Sequence, residues 1–336
     1  MKSAWLKNEP LAPYTTLRIG GQADFFFRAT TEAQIIAAVK EAKRLKLPVT
    51  LLGWGSNALI GDKGIRGLVI KNETSELKIG KTLAPRSLKK ADVPRWQGDK
   101  EKGTFKYEFG DLNYDESEVP RVKVTLSSGF PLPRVINELL ALGITGLQWF
   151  ARIPGTIGGA VHNNIHGGTH FFSEFVDSVK VINSEGGVVK LGAKELGLAY
   201  DQSRFHDSKE IILSVTLNLF RGDGERAKAV AFEWAKRKSL QPPRSAGCTF
   251  KNISNEDKKR LELPTTSAGY IIEHVLKMGG FKVGDAAVSV AHHNFIVNNG
   301  KATAADYLIV LREIQARTKK ELGIELETEI ILLGEF

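Results

Sequence analysis

The chain is poor in cysteine. Cys248 is its only one, so no intramolecular disulfide can form, and such usage suits a reducing cytoplasm. Long apolar runs are missing too: no stretch reaches the roughly 18 uninterrupted apolar residues of a membrane span. The start, MKSAWLKNEPLAPYTT, lacks the apolar core and small-residue cleavage site of a secretion signal. No fixed-period repeat recurs, which argues against solenoids and propellers. The histidines form no metal pattern. Gly167 and Gly168 break any helix that would align His162, His166 and His170, and the adjacent His292 and His293 would point to opposite faces of a strand. Acidic surplus is absent: 47 Lys and Arg against 38 Asp and Glu leave a formal charge of +9, favouring nucleic acid, acidic lipid or phosphorylated small molecules without choosing among them. With 336 residues, 42% hydrophobic and 25% charged, wholesale disorder is excluded and two or three domains are possible.

What is present reads as alternating strands and helices. Residues 23–28 form a strand, and Thr31 with Gln34 makes a capping box for a helix whose Ile35, Ile36, Val39, Ala42 and Leu45 share one face. Pro48 stops that helix and Val49 to Leu52 form a second strand. Val122, Val124 and Leu126 alternate, as do Leu213, Val215, Leu217 and Leu219, with a helix over residues 134–142 between them. Residues 74–120 are lysine-rich, carry Pro85, Pro94 and Pro120, and read as an exposed basic insertion holding at most one short hairpin. Gly222-Asp223-Gly224 marks a boundary before a helix containing Ala227, Val230, Ala231 and Trp234. Thr303 with Asp306 caps a last helix closed by Gly323, and residues 324–333 form a terminal strand. The mixture is α+β.

Four segments could carry chemistry. Gly53-Trp54-Gly55-Ser56-Asn57 follows a strand but leaves no room for the helix of a dinucleotide fingerprint. It is either a plain glycine turn or a loop whose N–H groups approach a pyrophosphate. Arg152-Ile153-Pro154-Gly155-Thr156-Ile157-Gly158-Gly159, with Asn163 and Asn164 beyond, is a second loop where backbone could approach a planar ring. Cys248 sits among Gly247, Thr249, Lys251 and Asn252, a polar setting for a thiol. Its unperturbed pKa of ~8.5 lets it donate a proton as well as attack. Glu325, Glu327 and Glu329 alternate onto one face, where a solvated edge is the simpler explanation.

In this order the segments resemble the UDP-N-acetylenolpyruvoylglucosamine reductase family of peptidoglycan synthesis. The matching stretches are Thr16–Gly21, Gly53–Asn57 with Gly64 and Gly67, Ile153–Gly159, Tyr200 with Ser203 and Phe205, Ala246–Asn252, Val288-Ser289 with His292 and Phe295, Ala302–Ala304, and Leu326–Ile330. Everything but the 74–120 insertion is covered, and the form is the one lacking an extra tyrosine-bearing loop. The resemblance implies a two-lobed FAD-binding region of the PCMH type plus a separate α+β substrate-binding domain. Lobe 1 would span 1–72, lobe 2 73–221, the substrate domain 222–322, and a returning strand 323–336.

It further implies a cytoplasmic, monomeric NADPH-dependent flavoenzyme acting on a UDP-sugar, with no nucleic-acid or membrane partner and no metal. Arg18, Gly53, Gly55, Ser56, Asn57, Ile153, Pro154, Gly155, Thr156, Gly158, Gly159 and Asn164 would contact FAD. Tyr200, Lys251 and Asn252 would contact substrate. Cys248 stands where the family has a proton-donating serine, and Glu329 matches its C-terminal carboxylate. The chain departs from the family at Asp201, where an arginine grips the enolpyruvyl carboxylate. Arg204 is the nearest replacement, with Arg152, Arg244 and His166 as others. Near Lys277–Gly280 the family's substrate-domain lysine has no ungapped counterpart. A different flavoenzyme oxidising an alcohol, or a non-catalytic nucleotide-sugar binder, are the alternative readings.

Overall fold

The computed structural model describes residues 5–84, 112, 114, 116 and 118–336. In chain order the strands and helices begin with β1 (Leu6–Pro10), β2 (Gln22–Ala29), α1 (Glu32–Arg44), β3 (Val49–Leu52), β4 (Ala58–Ile60), β5 (Ile65–Asn72) and β6 (Leu77–Leu83). They continue with β7 (Arg121–Ser127), α2 (Leu132–Ala141), α3 (Ile157–His162), β8 (His166–Gly167), β9 (His170–Phe171), β10 (Val176–Ile182), β11 (Val188–Gly192), β12 (Ile211–Phe220) and α4 (Gly224–Lys238). The last are α5 (Asn255–Arg260), α6 (Ala268–Tyr270), β13 (Lys282–Val283), β14 (Ala286–Val288), β15 (Ile296–Asn298), α7 (Ala304–Leu322) and β16 (Ile331–Leu333). Two compact units result: unit 1 is Met1–Phe27, Ala42–Val69 and Leu240–Phe336, and unit 2 is Arg28–Glu41 and Ile70–Ser239.

In unit 1 the four-stranded sheet has the order β1-β2-β5-β3, and β14 is the middle strand of a three-stranded sheet. Apolar side chains of α7 (Tyr307, Leu308, Leu311, Ile314) join Ile271, Val288, Ile296, Leu326 and Phe250 in one core. The start of α7 is set twice. Thr303 and Asp306 form the expected reciprocal box, and the Asp62 carboxylate accepts from Ala304 N at 2.8 Å and Ala305 N at 2.9 Å. A carboxylate on exposed helix N–H groups also meets the positive end of the helix dipole. Asp62→Ala is expected to lower stability by about 1 kcal/mol in urea denaturation, with little change in the slope.

In unit 2 a five-stranded sheet runs β11-β10-β12-β7-β6, every pair antiparallel. The alternation read from the sequence sends Val122, Val124, Leu126, Val215, Leu217 and Leu219 into its core, with Val135, Ile136 and Leu139 of α2. Residues 77–83, read as part of an exposed insertion, are instead the edge strand β6. The irregularity between Ile79 and Thr82 breaks the period-two pattern that would have revealed it. The rest of that insertion falls largely outside the described residues. The terminal strand is also shorter than expected. Only Ile331–Leu333 forms it, parallel to β4, while 324–330 keeps a strand-like burial rhythm without joining a sheet, apart from one bridge between Phe250 and Thr328.

Candidate active site

In unit 1 three segments distant in sequence come together. The chain around Cys248 lies against the C-terminal stretch: Glu329 N donates to Thr249 O at 2.9 Å and Lys251 N to Glu327 O at 2.9 Å. The glycine loop joins from the other end, with Asn57 Nδ2 donating to Glu329 O at 3.1 Å and Ile331 N to Asn57 O at 3.0 Å. Gly55 O in turn accepts from Thr16 N at 3.2 Å, which fixes the loop on the N-terminal segment. Asn57, Glu329 and Thr249, the residue after Cys248, therefore share one hydrogen-bond network. The thiol is half-buried. The preceding residue, Gly247, has φ +82° and no described atom outside its chain neighbours within 4 Å of where a Cβ would stand, so the backbone there borders open space.

The residue that holds this segment was not legible in the sequence. Asn294, 3% exposed, accepts from Phe250 N at 3.0 Å through Oδ1 and donates to Phe250 O at 2.8 Å through Nδ2. Its own carbonyl accepts from Thr249 N at 2.7 Å. Tyr307, fully buried, places its hydroxyl 3.2 Å from Thr249 Oγ1. Burial, reinforced by the charge a Cys248 thiolate would carry, pushes that phenol well above its ordinary range, so it stays protonated. Lys251 reaches Glu327 at 3.2 Å and Asn252 Oδ1 accepts from Ala268 N at 3.2 Å. Arg18, exposed at φ 58°, donates to Pro13 O at 2.6 Å.

In unit 2 the turn over Ile153–Gly159 leads into α3. Thr156 caps the helix, its Oγ1 accepting from Gly159 N at 3.3 Å. Gly158 N donates to Ser128 O at 2.7 Å, and a Cβ on Gly158 would come within 2.9 Å of the Ser128 Cβ, so only glycine fits that approach. A Cβ on Gly159, by contrast, would find only Thr156 Oγ1 at 3.6 Å. The outer side of this turn is thus bare backbone beside open space, a surface suited to a planar ring.

Two expectations fare differently there. Asn164 is fully buried, and its amide is taken up within the chain: Nδ2 donates to Ala199 O at 2.7 Å and Oδ1 accepts from Ser173 N at 2.9 Å. It positions the Tyr200 loop. Arg204, offered as the carboxylate grip, lies in a 3-10 turn rather than a strand. Its Nε and Nη2 donate to Glu210 at 2.9 and 3.0 Å and its Nη1 to Glu195 O at 2.9 Å. Its charge is neutralised by a bidentate carboxylate, which leaves it poorly placed to bind another.

Residues 110–192 match the family model described as FAD binding domain, which places the chain among flavin-dependent oxidoreductases. The α+β class implied by the resemblance holds, and residues 238–333 match UDP-N-acetylenolpyruvoylglucosamine reductase, C-terminal domain, although Leu240–Phe336 shares one compact unit with Met1–Phe27 and Ala42–Val69. A relative of that name from Heliobacterium modesticaldum is 32% identical, covering 99% of this chain and 92% of its own. One from Pediococcus pentosaceus is 31% identical over 98% and 94%. The crystal structure of the Thermus caldophilus reductase is similar with a TM-score of 0.69 and 28% identity, covering 96% of this chain and 97% of its own. The chain belongs to the UDP-N-acetylenolpyruvoylglucosamine reductase family. Among the described residues no helix is long and apolar enough to cross a membrane.

Proposed function

We infer that this chain reduces UDP-N-acetylglucosamine enolpyruvate to UDP-N-acetylmuramate with NADPH as electron source, in peptidoglycan precursor synthesis. The observation that supports the reading is the network joining Asn57, Thr249 and the Glu329 backbone, which brings the Cys248 segment, the C-terminal stretch and the glycine loop together. Bare backbone suited to FAD is present within each unit taken by itself: the Gly53–Asn57 loop with Arg18, and the Ile153–Gly159 turn, are the groups that would contact it. Bound FAD supplies the hydride that NADPH delivers to it.

The chain supplies the proton. Cys248 Sγ–H gives it to the carbon adjacent to the one that receives hydride, so the double bond gains one H⁻ and one H⁺ and the thiolate is reprotonated from water. Glu329 assists that delivery and polarises the substrate, while Tyr200, Lys251 and Asn252 orient the sugar nucleotide. Residues 222–322 form the substrate-binding part in this reading. The protein works as a cytoplasmic monomer whose partner is the UDP-sugar, with no role for membrane or nucleic acid.

The visible spectrum tests this. Purified protein is expected to be yellow, to bleach on anaerobic NADPH and to regain colour when the enolpyruvyl sugar is added. A colourless preparation would contradict the reading. Colour restored only by oxygen would favour the alcohol-oxidising alternative.

A further inference from the structure

The reading above, on which this inference rests, leaves the substrate carboxylate without Arg204 as its cationic partner, since that side chain is engaged by Glu210. Unit 2 holds another arrangement. Asp201 is 6% exposed, and its backbone sits in the left-handed region at φ 46°. Asp tolerates that region better than most residues, yet still at a cost. Its Oδ1 lies 3.7 Å from His166 Nδ1. Its Oδ2 is buried with no hydrogen-bond donor among the described residues, a costly state for a carboxylate that serves packing alone.

His166 is held but not covered. Its side chain is 28% exposed, stacks on Tyr200 at 5.5 Å and 29° and meets Phe171 at 5.8 Å. Nδ1 faces the acid, and Nε2 makes no hydrogen bond among the described residues. The pair is tied to the glycine turn, because Asn164 Nδ2 binds Ala199 O and Ser203 Oγ binds His162 O. These bonds fasten the Tyr200 loop to the far end of α3, whose first turn carries Gly158 and Gly159. His162 offers no substitute: burial pulls it below the ordinary imidazole pKa, so it stays neutral.

We propose that His166, protonated and held by Asp201, binds the carboxylate of the enolpyruvyl substrate through Nε2–H. Asp201 is the counter-charge of the ring, and Tyr200 fixes its plane. A charge-assisted N⁺–H···O⁻ bond both orients the substrate and stabilises the negative charge that builds on the carboxylate as hydride arrives.

Calorimetric titration of the FAD-loaded full chain with two nucleotide sugars tests this without turnover. UDP-N-acetylmuramate carries the carboxylate and UDP-N-acetylglucosamine does not. His166→Gln is expected to weaken the first by about tenfold or more, leaving the second within about twofold. His166→Arg, a planar cation that also stacks on Tyr200, is expected to recover most of the loss. Equal weakening of both ligands, no weakening of either, or failure of His166→Arg to recover affinity would overturn the proposal while leaving the functional reading intact. Wild-type protein that binds neither sugar would overturn the functional reading, and this inference with it.

Discussion

Cys248→Ala is expected to reduce turnover of the enolpyruvyl sugar by about 10²–10⁴-fold, the usual contribution of a positioned general acid. Reduction of bound flavin by NADPH should stay within about twofold of wild type. The two halves separate because hydride transfer into the flavin needs no protein acid, whereas product formation needs a proton at a defined carbon. Cys248→Ser should retain much of the lost rate, since a hydroxyl in the same place can serve the same role with a weaker acid. Steady-state turnover beside anaerobic flavin bleaching gives both numbers. Loss of both halves together would mean that the alanine variant disturbs the cofactor, and the assignment to proton delivery would fall.

The second large effect is expected at Asn294. Its side chain satisfies both the N–H and the C=O of Phe250, two residues from Cys248, in a fully enclosed setting. Asn294→Ala strips both partners from a buried peptide, at about 1–3 kcal/mol for each group left without one. A total loss of about 2–6 kcal/mol in urea denaturation follows. Asn294→Asp keeps one acceptor for Phe250 N and should lose less in the backbone, at the cost of a buried charge. Because Thr249 and Glu329 are linked to the same segment, the alanine variant should also slow product formation more than flavin bleaching. A stability change within about 0.5 kcal/mol would show that Asn294 does not clamp the Cys248 segment.

The contrast between Asn294 and the glycine loops explains what could be read from sequence alone. Glycines at 53, 55, 158 and 159 announce close backbone approach by composition, and Thr31 with Gln34 or Thr303 with Asp306 announce helix starts by spacing. The structure holds both pairs, with Gln34 N donating to Thr31 Oγ1 at 3.2 Å and Thr303 forming its box. A lone asparagine in a polar loop carries no such signature, because its partner is a peptide 44 positions away. β6 escaped notice for a different reason: a bulge shifts its alternation midway. Arg204 was misjudged because a strand was assumed where the chain makes a 3-10 turn, and because Glu210, six residues on, was not weighed as its partner. The Asp201–His166 contact joins positions 35 apart, so no local spacing revealed it.

The proton-delivering thiol is the centre of the account, and stopped-flow reoxidation tests it most directly. Protein reduced with one equivalent of NADPH is mixed anaerobically with the enolpyruvyl sugar, and the return of flavin absorbance is followed. Reoxidation should be fast in wild type, moderately slowed in Cys248→Ser and slowed by at least about a hundredfold in Cys248→Ala. An alanine variant that regains its colour at the wild-type rate, with reduced product formed, would contradict it.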